Sequence, residues 1–189
     1  MGIPMAKNLH KAGLLAAVWN RTHEKASTLA AELGCVAPAL LAEFARGLDV
    51  AVVCVSADAD VRSVIEGMAP GLAKGALVID CSTVSADTAR WAEQFLATRG
   101  VAFLDAPVSG GVEGAQKGTL AIMTGGAPDA FEKARPVLQA MARLSNTSAR
   151  RVPARRPRRP TRSWSRASSA RSQRRWLSPA RTRCRSRRC

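Results

Sequence analysis

The run Asp105-Ala106-Pro107-Val108-Ser109-Gly110-Gly111, continued by Val112-Glu113-Gly114-Ala115-Gln116-Lys117-Gly118-Thr119-Leu120, holds the densest chemistry in the chain. A short apolar strand over 101–104 delivers a carboxylate at its end. Pro107 stiffens the exit, and a hydroxyl and two glycines follow. Such a segment brings backbone close to a small polar ligand at the carboxyl edge of a sheet. A second group closes an apolar run: Val18-Trp19-Asn20-Arg21-Thr22. In a dinucleotide-binding fold the residue ending the second strand faces the adenosine ribose. An acid there accepts from the 2′-hydroxyl and favours NAD, whereas an arginine nearby accommodates the 2′-phosphate of NADP. Here the acid is absent and Arg21 is present, and a guanidinium pairs well with phosphate oxygens. A solvated turn arginine is the plain alternative. Gly2 stands at a distance from Asn20 that suits the last glycine of a dinucleotide fingerprint. Val55-Ser56 and Ser82-Thr83 follow strands, where hydroxyls and backbone donors would face a nicotinamide half. Helix capping competes with that reading for Ser56 and Ser85.

These residues need a sheet to carry them. The pattern predicts helices over 2–12, 24–33, 39–46, 59–68, 85–98 and 128–142, and strands over 14–19, 35–37, 49–55, 76–79, 101–104 and 119–123, with Gly125-Gly126 as a turn. Unbroken apolar strands alternating with helices indicate a doubly wound α/β fold, a mainly parallel sheet covered on both faces with ligands at the strands' carboxyl ends.

Composition divides the chain in two. Residues 1–144 hold 13 Lys+Arg against 14 Asp+Glu, while residues 145–189 hold 16 Arg and no acid. The first part, 1–144, is aliphatic enough to bury a core and reads as the folded domain. Cys35, Cys54 and Cys81 lie in or beside apolar runs, without zinc or disulfide spacing, which points to a reducing, cytoplasmic setting. No apolar stretch approaches the roughly 20 residues that span a membrane, and the amino terminus lacks a signal-peptide pattern.

The pieces Met1-Gly2-Ile3-Pro4-Met5-Ala6-Lys7-Asn8-Leu9, Asn20-Arg21-Thr22, Asp80-Cys81-Ser82-Thr83-Val84 and Asp105 to Gly126 resemble the β-hydroxyacid dehydrogenase family, in order and in spacing. That family includes 3-hydroxyisobutyrate dehydrogenases and tartronate semialdehyde reductases. The resemblance implies a dinucleotide-binding domain followed by an all-helical domain. The implied activity is hydride transfer between NADP, with NAD as the alternative cofactor, and the carbinol of a small 3-hydroxy acid or the matching semialdehyde. It implies that Gly2, Asn20, Arg21, Thr22, Val55, Ser56 and Thr83 meet the cofactor. Ser109, Gly110 and Gly111 would hold the substrate carboxylate. It implies homo-oligomers assembled through the helical domain.

Three departures accompany the resemblance. The family opens with a strand and a Gly-x-Gly-x-x-Gly turn, of which Gly2 matches the last glycine. In the strand order 3-2-1-4-5-6 that first strand is central, so its absence leaves both neighbours without a ladder partner. Buried unpaired backbone groups cost roughly 1–3 kcal/mol each, against about 5–15 kcal/mol for a whole domain. The helical domain has no counterpart here. The family's acid/base lysine lies in Gly-x-Gly-x-x-x-Lys-x-x-x-Asn; the last lysine in this chain is Lys133 and nothing after it matches. A missing acid or base costs about 10²–10⁴-fold in rate. The chain is therefore expected to be an incomplete, inactive dehydrogenase with no catalytic residue of its own. A catalytically silent dinucleotide-binding module is the alternative.

Residues 145–189 lack periodicity and are expected to be disordered. The abrupt change without a linker fits out-of-frame translation of GC-rich coding sequence, which yields mainly Arg, Pro, Ala and Ser. The competing reading is nonspecific binding to nucleic acid through the arginines, with Trp164 and Trp176 stacking on bases.

Overall fold

The computed structural model describes residues 1–142. The expectations for 145–189 lie outside them. Three short strands, β1 (Val50–Val53), β2 (Leu77–Asp80) and β3 (Ala102–Asp105), pair in parallel. Apart from Asp80 and Asp105 at their ends, their residues are apolar on both faces, which suits a sheet covered twice. Helices α4 (Asp58–Met68) and α5 (Ala86–Ala97) provide the crossovers. Val53, Asp80 and Asp105 stand opposite one another, so the three strands end on one level.

Side-chain alternation sends the two faces to two cores. Leu77, Ile79 and Leu104 join Met5 and Leu9 of α1 (Gly2–Lys11) and Leu138 and Met141 of α7 (Pro128–Met141). Ala51, Val53, Val78 and Phe103 pack with Val61, Ile65 and Leu96 on the other side. Helix α1 is also tied to a distant part of the chain: Asn8 Nδ2 donates to the Ala115 carbonyl at 2.6 Å.

Five sequence expectations are corrected. The strand expected over 14–19 is a single parallel bridge, Ala17 to Val36, and the short strand at 35–37 is the other half of it. A strand is a pairing relation, and no neighbour strand stands between this segment and β1, because the sheet order β1-β2-β3-β6 begins at β1. Gly125-Gly126 is a strand, β6 (Gly125–Gly126), antiparallel to Leu104–Asp105, rather than a turn. A Cβ at Gly126 would sit 2.9 Å from Leu104 Cδ1, so glycine permits this approach. The strand expected over 119–123 shortens to β5 (Ala121–Ile122), paired antiparallel with β4 (Val108–Ser109). A further helix, α6 (Gly111–Lys117), runs where none was expected. The remaining helices, α2 (His23–Leu33) and α3 (Leu41–Ala45), fall where the pattern put them, α3 being shorter.

Candidate functional site

The carboxyl ends of β1, β2 and β3 carry three loops, and hydrogen bonds brace them to one another. Cys81 N–H donates to the Val53 carbonyl at 2.8 Å, and Ala106 N–H donates to the Asp80 carbonyl at 2.8 Å. The Val55 amide donates to Ser82 Oγ at 2.9 Å, and the Ser82 amide donates to Asp80 Oδ1 at 2.9 Å. One buried carboxylate thus holds the Ser82 backbone, and the buried Ser82 hydroxyl in turn holds the loop after β1. Asp58, in the first turn of α4, accepts from both the amide and the hydroxyl of Ser85. Ser85 Oγ also caps α5 by accepting from the Thr88 amide.

The residues singled out in the sequence follow this edge in strand order. Asn20, Arg21 and Thr22 lie in an exposed turn, closed by the Thr22 amide donating to Asn20 Oδ1 at 2.9 Å. Arg21 is largely in solvent, and its Nη1 meets Asp60 Oδ1 at 3.1 Å. That ion pair sets the turn beside the start of α4. Val55 is half-buried and Ser56 exposed at the end of β1; Thr83 is exposed after β2. Ser109, Gly110 and Gly111 are exposed past β3, with φ of +126° at Gly110 and +62° at Gly111. Side chains rarely adopt such angles, so the bend into α6 depends on glycine. Gly2 is exposed in the first turn of α1, and a Cβ there would meet nothing within 4 Å. No acid and no side-chain cap occupy that first turn.

This donor set fits a dinucleotide. An exposed guanidinium, hydroxyls on two loops and a helix start free of acid all favour phosphate and ribose oxygens. The residues that sequence reasoning passed over are Asp58, Asp60, Asp80 and Ser82 as braces. Their partners come from neighbouring strands or loops, and only spacing in three dimensions reveals them.

The two buried or capping acids have opposite titration. Burial raises the Asp80 pKa, against the lowering by Ser82, and the Asp58 charge adds to the rise. The Ser85 hydroxyl, then the Thr88 hydroxyl and the Ser85 amide, hold Asp58 down to about 2. Asp80 therefore favours the fold most below the unfolded carboxylate pKa of about 3.9 and loses that contribution as pH rises through its higher folded value. Asp58 contributes above about 3.9 and loses its contribution as pH falls through about 2. Oδ2 of Asp80 is buried without a hydrogen-bond partner among the described residues. Asp80→Asn keeps an acceptor for the Ser82 amide and removes the charge. Its urea midpoint is expected to exceed that of the parent chain at neutral pH, with the gap closing toward about pH 4. A gap independent of pH between those limits contradicts this assignment.

Among the described residues, no helix is long and apolar enough to cross a membrane. An NAD-dependent L-serine dehydrogenase from Pseudomonas aeruginosa is 40% identical over 146 residues, covering 76% of this chain and 49% of that protein. The structure of Mycobacterium tuberculosis 3-hydroxyisobutyrate dehydrogenase with L-serine superposes with a TM-score of 0.71 at 35% identity, covering 75% of this chain and 48% of that one. A structure described as Psf3 in complex with NADP+ and 2-OPP gives a TM-score of 0.68 at 30% identity, covering 75% and 51%. The chain thus spans about half the length of the curated relatives it matches. The doubly wound, Rossmann-like fold expected from the sequence is the fold of that 3-hydroxyisobutyrate dehydrogenase. Residues 1–151 match the family model described as the NAD binding domain of 6-phosphogluconate dehydrogenase, and the chain belongs to that family of cofactor-binding domains.

Proposed function

We propose that residues 1–144 form the cofactor-holding half of an NADP-preferring dehydrogenase acting on a small 3-hydroxy acid or semialdehyde. The observation that carries the proposal is Arg21, exposed at the end of the 14–19 segment where an NAD-preferring domain places an acid. Asn20, Arg21 and Thr22 would hold the adenosine end, with the first turn of α1 at Gly2 near the phosphates. Val55, Ser56 and Thr83 would line the nicotinamide half. NADP supplies a hydride acceptor or donor at that half.

Ser109, Gly110 and Gly111 would hold the substrate carboxylate. Ser109 offers a hydroxyl, and the two glycines leave their backbone N–H groups unscreened by Cβ atoms. The names of two relatives support the substrate class, since serine and 3-hydroxyisobutyrate are both 3-hydroxy acids. Proton transfer at the carbinol needs a group that residues 1–142 do not bring to this edge. The chain by itself would therefore bind cofactor and turn over slowly, in a cytoplasmic setting. Residues 145–189 would add only salt-sensitive, nonspecific attraction to nucleic acid.

Calorimetry with NADPH and with NADH tests the reading. Tighter binding of NADPH than of NADH is expected. Adding L-serine or 3-hydroxyisobutyrate to chain and NADP+ should produce reduced nicotinamide at least about 10²-fold more slowly than an enzyme with its acid/base group. No binding of either cofactor at millimolar concentration overturns the proposal.

A further inference from the structure

Cys54 and Cys81 come side by side from neighbouring strands. β1 and β2 run parallel with Val53 opposite Asp80, and the Cys81 amide continues the ladder by donating to the Val53 carbonyl at 2.8 Å. The next residues in register, Cys54 and Cys81, therefore stand opposite one another. Residues opposite in a ladder send their side chains to the same face of the sheet. Leu77, Ile79 and Cys81 join the core that includes α1 and α7, and Cys54 packs against that same core. The two thiols are close enough for the charge of one to act on the other. Cys35, the third cysteine among the described residues, packs against a different core.

Spacing decides what such a pair can hold. Neighbouring strands stand about 4.7–4.9 Å apart, which sets the separation of the two Cβ atoms. A disulfide asks for Cβ atoms about 3.5–4.5 Å apart, closer than the ladder sets them. A metal–thiolate bond is about 2.3 Å, so a cation in line between two sulfurs spans about 4.6 Å. The ladder therefore suits a metal bridge with both side chains parallel. Which metal follows from what else is near. Among the described residues, no group of three or more His, Cys, Asp and Glu is placed to hold a metal. Zinc takes four ligands and calcium six or more, so neither finds a shell here. Thiolates select soft cations, and copper(I) is the one that rests stably between two of them.

We propose that Cys54 and Cys81 form a two-coordinate site for copper(I), joining the ends of β1 and β2. Binding replaces two S–H bonds with two S–Cu bonds and releases two protons to solvent, while the copper stays in the +1 state. Cys81 is buried; Cys54 is half-buried beside the loop that carries exposed Ser56, and the cation enters past it. The inference stands apart from the cofactor reading, since it uses no residue assigned to NADP or to substrate.

The test is an anaerobic copper(I) titration of the full chain carrying Cys35→Ser, Cys184→Ser and Cys189→Ser, in competition with the chelator bathocuproine disulfonate. One copper(I) per chain is expected to leave the chelator, and X-ray absorption of the loaded chain should show two sulfur neighbours. Cys54→Ser and Cys81→Ala, each added to that background, should weaken binding by more than about 100-fold, beyond the roughly 10–100-fold that follows loss of an outer partner. Denaturing urea, which parts the two strands, should weaken binding to the background chain by more than about 10-fold, because the pair is no longer preorganised. Failure of the folded background chain to take copper(I) from the chelator overturns the proposal. Undiminished binding in either single variant overturns it too. Equal affinity of the folded and the urea-unfolded chain does the same, since any two thiols would then suffice.

Discussion

Arg21→Ala is expected to raise the Kd for NADPH roughly 10- to 100-fold and to change that for NADH by less than about threefold. Hydrogen bonds to charged groups contribute about 1.5–3 kcal/mol, and the 2′-phosphate is the only group that distinguishes the two cofactors. Arg21 is well placed for selectivity because little else engages it. Its side chain is 84% exposed, and Asp60 is its ion-pair partner at 3.1 Å. An exposed ion pair of this kind holds little energy, so a phosphate can displace Asp60 readily. Asp60→Asn should accordingly tighten NADPH and leave NADH unchanged. Fluorescence titration of both cofactors against the parent chain and both variants decides the matter. Equal weakening of NADPH and NADH by Arg21→Ala would show that the residue supports the turn and does not read the phosphate.

Ile79→Ala is expected to remove about 2–5 kcal/mol of stability, the usual cost of emptying a buried aliphatic site. Ile79 is wholly buried in the middle of β2, between Val52 and Leu104 in register. It belongs to the core that joins the sheet to α1 and α7. Its truncation leaves a void facing two helices at once. Against about 5–15 kcal/mol for a whole domain, that loss is large. Urea unfolding followed by tryptophan fluorescence measures it. A loss under about 1 kcal/mol would mean that α1 and α7 close the void, and that this core is less tightly packed than its burial implies.

Reading the chain for fold worked where one element decides its own fate. Val50–Val53 is apolar and β-branched and becomes a strand; Ser85 caps its helix as expected. Reading failed where a partner decides. Leu14–Trp19 has an equally apolar sequence, yet with no strand beside it the segment makes one bridge. Gly125-Gly126 carries the signature of a turn but pairs with β3, because small residues let two backbones approach. Helix α6 holds Gly111 and Gly114, poor helix formers, and is fixed in place by Asn8 and by packing of Ala115. The candidate site divides the same way. The placement of Arg21 in an exposed turn after an apolar run, and of Ser109-Gly110-Gly111 after β3, follows from the local pattern. The brace from Asp80 through Ser82 to Val55 was not, since its members lie on two strands far apart in sequence.

The bond from Asn8 to Ala115 has a consequence for how the molecule comes to be folded. Helix α1 has its main partners, α6 and α7, among the last described residues. Contacts so distant along the chain slow folding, since loop closure must precede any gain from them. Helix α1, ten residues long, is too short to persist alone in water. It must therefore wait, exposing Met5 and Leu9, until about a hundred further residues have been synthesised. Ribosome-stalled chains ending before residue 111 should leave α1 open to protease, and chains extending well past 142 should protect it.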